Sequence, residues 1–118
     1  MSIIAIKRIY AAPSIDDGCR VLVDRLWPRG LRKDQAEIDH WYKDLAPSSA
    51  LRKWFGHDPE KWNEFHLRYG MELETNTAAL TPLRSLLQSE TKVTLLFAAQ
   101  DEAHNNAVVL AAYLQAQH

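Results

Sequence analysis

Two clusters of side chains in this 118-residue chain have the types and spacing to do chemistry. The first is Arg20-Val-Leu-Val-Asp-Arg-Leu-Trp-Pro-Arg-Gly30, where an apolar run stops abruptly in arginines, an indole and a Pro/Gly turn. A buried strand that ends in this way delivers polar groups to a cleft. Arg25 and Arg29 are candidate clamps for a phosphate or carboxylate, because the guanidinium fork matches an oxyanion bidentately. Trp27 has two roles open to it, a stacking wall for a planar ligand or a plug at the end of the core. The second cluster is Ala99-Gln-Asp-Glu-Ala-His-Asn105, an elbow between a strand and a helix. Asp101 is expected to cap that helix, and the unpaired N–H groups of a helix start favour an anion. One turn on, His104 is a candidate general base and, with Asp101, a candidate proton carrier. Asn105, a poor helix former in a first turn, is a candidate ligand contact. Tyr10, in the loop after the first strand, joins the ligand-binding candidates. The structural alternative for the arginines is pairing with carboxylates such as Asp24 or Asp101.

Other chemistries find less support. His57-Asp58, with His40 and His66, supplies enough imidazoles for a divalent ion, but neither HxxxH nor HExxH spacing occurs and helix capping already explains Asp58; no metal site is expected. Cys19 and Arg25 stand at the Cys-x5-Arg spacing of a phosphate-cradling thiolate. The residues between them form an apolar strand, however, and not a loop offering N–H groups to an oxyanion, so the spacing reads as coincidence. Neither GxGxxG nor GxxxxGK[ST] is present, and no motif names a cofactor.

The elements that must position these groups follow from periodicity and turn residues. Ile3 to Ile9 is short and β-branched and reads as a first strand, with Pro13 and Asp16-Asp-Gly18 marking the loop after it. Arg20 to Asp24 is a second strand, Trp27 to Asp34 a loop, and Ile38 to Tyr42 a short third strand or edge segment. Ser48 or Ser49 caps a helix carrying Leu51, Trp54 and Phe55, which Gly56 ends. Asp58-Pro59 starts the next helix, with Trp62, Phe65, Tyr69 and Leu73 on one face. A break over Asn76 to Thr81 is expected before a helix carrying Leu80, Leu83, Leu86 and Leu87, with Pro82 in its first turn. Lys92 to Ala99 has few polar positions and reads as a central strand covered on both faces. A final helix is expected from about Glu102 to Gln115. Strands separated by helices, with one feeding directly into a helix, predict an α/β fold: a single layered domain with a small, largely parallel sheet flanked by helices. Ligands of such sheets bind outside the carboxyl ends of the strands, where both clusters fall.

Composition narrows the class. The chain is 47% apolar and 25% charged, as in ordinary globular proteins, and its length suits one domain over residues 1–118. Ala107 to Leu114, its longest apolar stretch, is far short of the roughly 20 residues that span a bilayer, and the N-terminus lacks a signal layout, so no membrane association and a cytoplasmic location are expected. A single cysteine excludes internal disulfides and Cys-based zinc sites. A net charge of −1 argues against bulk electrostatic attraction to nucleic acid, though a local basic patch stays open.

Four ordered blocks also carry a family resemblance: Arg20-Val-Leu-Val-Asp-Arg-Leu-Trp-Pro-Arg-Gly-Leu, Ala46-Pro-Ser-Ser-Ala-Leu-Arg-Lys-Trp-Phe-Gly-His-Asp-Pro, Phe65-His-Leu-Arg-Tyr and Val93-Thr-Leu-Leu-Phe-Ala-Ala-Gln-Asp-Glu-Ala-His-Asn. Together they resemble the YeaO-like family of uncharacterised bacterial proteins over nearly the whole chain. The resemblance implies one compact domain. As a domain of unknown function, the family brings no substrate and no catalytic residue with it.

Three functional readings result. The preferred one is a protein, with or without turnover, whose pocket holds an anionic small molecule, with Arg25 and Arg29 as clamps, Trp27 as a wall and Asp101 with His104 as proton carriers. The second is a nucleic-acid-binding module whose Lys7, Arg8, Arg25, Arg29, Arg32 and Lys33 face phosphates while Trp27 stacks on a base. The third is an interaction domain without a ligand, whose margin of Trp54, Phe55, Trp62, Phe65 and Tyr69 meets a partner protein. The sequence leaves cofactors and oligomeric state open.

Overall fold

The computed structural model describes residues 2–116; residues 1, 117 and 118 of the expected domain lie outside the described residues. Four strands, β1 (Ile3–Arg8), β2 (Cys19–Leu22), β3 (His40–Trp41) and β4 (Lys92–Phe97), form a parallel sheet in the order β1-β4-β2-β3. The expected α/β architecture is therefore observed, and β4, the most apolar strand, is interior as expected. The helices are α1 (Lys33–Ala36), α2 (Ser49–Phe55), α3 (Trp62–Thr75), α4 (Thr77–Ser89) and α5 (Asn106–Ala116). Among the described residues, no helix is long and apolar enough to cross a membrane.

Strand alternation sorts the core into two unequal layers. Cys19, Val21, Val23, Val93, Leu95 and Phe97 face a large cluster built with α2 to α5, which includes Leu51, Phe55, Phe65, Tyr69, Leu83 and Leu110. Leu22 and Leu96 point to the opposite face, where Ile9 and Ala36 meet a smaller group of Trp27, Leu31, Ile38 and Trp41. Helices thus cover one face, and a loop with the one-turn α1 covers the other. That turn begins inside the segment read as loop, at Lys33, where Arg32 with Lys33 gives no apolar period to betray it.

Side-chain capping sets the starts of α2, of the turn leading into α3 and of α5. The Ser48 hydroxyl accepts from Leu51 N, and Gly56 closes α2 in the left-handed region with φ 54°. The Asp58 carboxylate accepts from Glu60 N and starts the 3₁₀ turn Pro59–Lys61, which runs into α3. Two expectations are corrected. The break between α3 and α4 is Asn76 alone, whose side-chain amide donates to Asp44 O, and Pro82 stands at the sixth residue of α4, beyond its first turn. Pro82 lies on the exposed side, where water can satisfy the carbonyl its ring leaves without a partner. The last helix starts at Asn106 and not near Glu102; its cap is Asn105, whose Oδ1 accepts from Val108 N.

One arginine of the Arg20 to Gly30 run is wholly structural. Arg20 is 4% exposed, donates from Nη1 to Asp17 Oδ2 at 2.5 Å, and spends Nε and Nη2 on the carbonyls of Glu37 and Ala36. Lys7 Nζ stands 3.0 Å from both Asp17 oxygens. Burial pushes the Asp17 carboxyl up, but the Ser14 N–H, Lys7 and Arg20 together hold it below the ordinary carboxylate range. The next residue, Gly18, has φ 66°, and a Cβ there would meet Lys92 O at 2.5 Å, so only glycine fits where this ion cluster enters β2.

Candidate functional site

β2 and β4 are neighbours, and the loops leaving their carboxyl ends open a cavity of about 260 Å³. Leu26, Trp27, Pro28, Ala46, Pro47, Phe55, Phe65, Ala98 and Ala99 give it largely apolar walls. Polar groups are few and come from four segments: Asp24 and Arg25 after β2, Arg52 and His57 around the end of α2, His104 in the elbow, and Asn105 and Asn106 at the start of α5.

Asp24 is positioned from both strands. Its Oδ2 accepts from Ala98 N at 2.9 Å, its Oδ1 from Asn106 Nδ2 at 3.1 Å, and its backbone carbonyl from Trp41 Nε1 at 2.7 Å. Burial pushes the Asp24 carboxyl above the ordinary range, against the two hydrogen bonds to it and the charge of His57. Asn106 Nδ2 also donates to Val23 O, so the first residue of α5 is bound to the end of β2.

In the elbow, Asp101 Oδ1 accepts from Ala103 N and His104 N, closing a turn of its own ahead of α5. Its Oδ2 lies 2.8 Å from His104 Nδ1. A carboxylate accepts only, so Nδ1 carries the proton and neutral His104 keeps its lone pair on Nε2. The bond from His104, with the two backbone N–H groups, holds the Asp101 carboxyl below its usual range, although burial acts weakly the other way. Trp62 presses edge-on to the imidazole, with centroids 5.1 Å apart.

The arginines divide. Arg25 lines the cavity and touches the carbonyls of Ala46 and Pro47 at 3.3 to 3.5 Å, contacts at the long limit of hydrogen bonding. It makes no ion pair with Asp24 or Asp101. Arg29 is exposed and does not line the cavity, and Tyr10 stands with it there, donating from its hydroxyl to Arg29 O at 2.8 Å while Arg8 lies over its ring. Trp27 combines its two roles: one part lines the cavity while Nε1 donates to Leu31 O and the ring packs edge-on to Trp41 in the smaller core. The structure thus gathers Arg25, Trp27, Asp101, His104 and Asn105 at or beside one cavity and leaves Arg29 and Tyr10 outside.

Four lining residues escaped the sequence as ligand contacts. Asp24 ends an apolar strand, which is a signal, but it looked like a partner for arginine. Asn106 and Arg52 carry no local signal. In the sequence His57 reads only as a metal-ligand candidate beside Asp58, without the spacing to support it; in the structure, consecutive left-handed residues, Gly56 and His57 with φ 54° and 58°, turn the chain so that the imidazole reaches the cavity. Arg52 is exposed, and its guanidinium makes no hydrogen bond or ion pair among the described residues. Cys19, by contrast, is buried in the main core away from the cavity, and burial, followed by the charges of Asp39 and Glu90, pushes its thiol up.

Fold and cavity together define a small parallel α/β domain with a polar-floored pocket at the carboxyl edge of its sheet. The chain belongs to the DUF488-N3i family, described as the inactive DUF488-N3 subclade, whose model matches residues 3–118. It is similar to the uncharacterized protein Rv3073c of Mycobacterium tuberculosis, 45% identical over 111 residues that cover 94% of this chain and 92% of the relative, and equally to Mb3100c of Mycobacterium bovis. The uncharacterized protein YeaO of Escherichia coli is 37% identical over 109 residues, covering 92% of this chain and 94% of that protein. No solved structure matches the chain at a significant level.

Proposed function

We propose that the cavity binds a small molecule carrying a phosphate or carboxylate group. The observation that supports this most is Arg52, a guanidinium without an internal partner at the rim of a pocket that also holds Arg25, His57 and His104. An uncommitted guanidinium beside an apolar cavity favours an anion, which Arg52 can take bidentately while Arg25 adds charge from the wall. Trp27 supplies a flat apolar surface. The hydrogen bond between Asp101 and His104 fixes the orientation of the imidazole next to the bound anion.

Binding without covalent chemistry fits the lining better than turnover does. No hydroxyl, thiol or amine side chain stands among the lining residues, which leaves Asp24, His57 and His104 as their only nucleophilic groups, and the family description names an inactive subclade. The cations named for a nucleic-acid face are spread over internal partners: Lys7 on Asp17, Arg8 on the carbonyls of Ala98 and Ala99, and Arg32 on Asp34.

A thermal-shift screen against phosphate, phosphorylated sugars and carboxylates at two salt concentrations tests the proposal. A native-state ligand raises the midpoint, and an anion at 100 times its Kd adds roughly 2.7 kcal/mol. The expected result is a salt-tolerant shift that Arg52→Ala removes while leaving the melting temperature of the free protein within a few degrees. A shift unchanged in Arg52→Ala, or none with any anion, overturns it.

A further inference from the structure

The floor and the rim of the cavity have opposite hydrogen-bonding character. At the rim, Arg25, Arg52 and His57 offer N–H donors. At the floor, Asp24 offers two carboxylate oxygens, each engaged by one donor and each with a lone pair left over. Asn106 turns its amide N–H groups toward Val23 O and Asp24, which leaves its carbonyl oxygen as a second acceptor beside the carboxylate. Between rim and floor the walls are Trp27, Phe55 and Phe65. At about 260 Å³ the space suits one ring with its substituents and excludes a dinucleotide.

We infer that the ligand is dipolar: a ring bearing an amine or amide N–H seated on Asp24 and Asn106, joined to an anionic group that reaches Arg52. This rests on the anion-binding proposal and adds the other end of the molecule to it. A ligand N–H donor offsets the desolvation of the Asp24 carboxylate, a gain that a ring without a donor does not bring, so the floor discriminates between rings of the same shape. Asp24 is a specificity residue in this arrangement, and Arg52 the affinity residue for the anion.

Calorimetric titration of the full chain with four probes tests it: inorganic phosphate, ribose 5-phosphate, cytidine 5′-monophosphate, and the same nucleotide with the 4-amino group replaced by hydrogen. The expected order is cytidine monophosphate roughly ten-fold or more tighter than the analogue lacking the 4-amino group, since a lost hydrogen bond to a buried charged group costs at least that factor. Asp24→Asn should bring the two nucleotides within about two-fold of each other. The comparison in the parent chain stands without the variant, so a poorly folded Asp24→Asn protein does not blunt the test. Equal affinity for the two nucleotides, or phosphate binding that the ring does not improve, overturns this inference and leaves the anion proposal standing. No binding of any of the four overturns both.

Discussion

At the residue scale the polar side chains of the Arg20 to Gly30 run separate into structure and site by what they touch. Arg20 and Asp17 are a buried pair with each guanidinium nitrogen engaged, and removing one partner of such a pair strands the other charge. Arg20→Met should therefore cost about 3–5 kcal/mol in urea unfolding. Asp24 is different, because burial raises its carboxyl. The folded chain then holds the Asp24 proton more tightly than the unfolded chain does. Its contribution to stability is full below the ordinary carboxylate pKa and is lost as pH rises through the raised value. Asp17, held low, behaves oppositely: its contribution is present above the ordinary value and is lost as pH falls through the lowered one. Unfolding free energies followed from acid to neutral pH should show Asp24→Asn removing a decline toward neutrality; an unchanged profile would mean that Asp24 titrates normally. Residue chemistry was only half legible in the sequence. The Asp101 and His104 spacing announced a pair, whereas nothing in the types or order of these arginines told Arg20, buried at the base of β2, from Arg25 at its mouth.

The element scale was read more fully, because boundaries set by a single local interaction show in the sequence. Ser48, Gly56 and Asp58-Pro59 each act within four residues of themselves, and each stands where expected. The start of α5 did not show, since Asp101 and Asn105 are both good caps and tertiary bonds decide between them. Asn106 ties the first turn of α5 to Val23 O and Asp24, which leaves residues 101–104 as a separate turn. Asn105→Ala should then destabilise the chain by about 1 kcal/mol, the usual cost of a lost cap. Asp101→Ala should leave the helical signal in circular dichroism unchanged, and a loss of helicity there would return the cap to Asp101. Pro82 was displaced in the reading for a related reason: a proline marks a first turn only when solvent exposure does not excuse it further in.

For the whole molecule, a sheet with one thick helical face and one thin loop-covered face has a consequence for unfolding. Trp54 and Trp62 pack against the larger core while Trp27 and Trp41 belong to the smaller one, so tryptophan fluorescence reports both. Both cores share β2 and β4, and their unfolding should be one cooperative step, with fluorescence and far-ultraviolet dichroism coinciding in urea; two separated transitions would show the thin face opening first. The same topology brings two strand ends, the end of α2 and the start of α5 to one cavity. That convergence is the central claim, and mapping amide chemical shifts on titration with phosphate tests it most directly. The account predicts that the amides of Arg25, Arg52, His57, Ala98, His104 and Asn106 move together and saturate with one dissociation constant, and that Arg52→Ala weakens the whole set. Shifts scattered over Arg29, Tyr10, Arg32 and Lys33, with the cavity amides still, would contradict it.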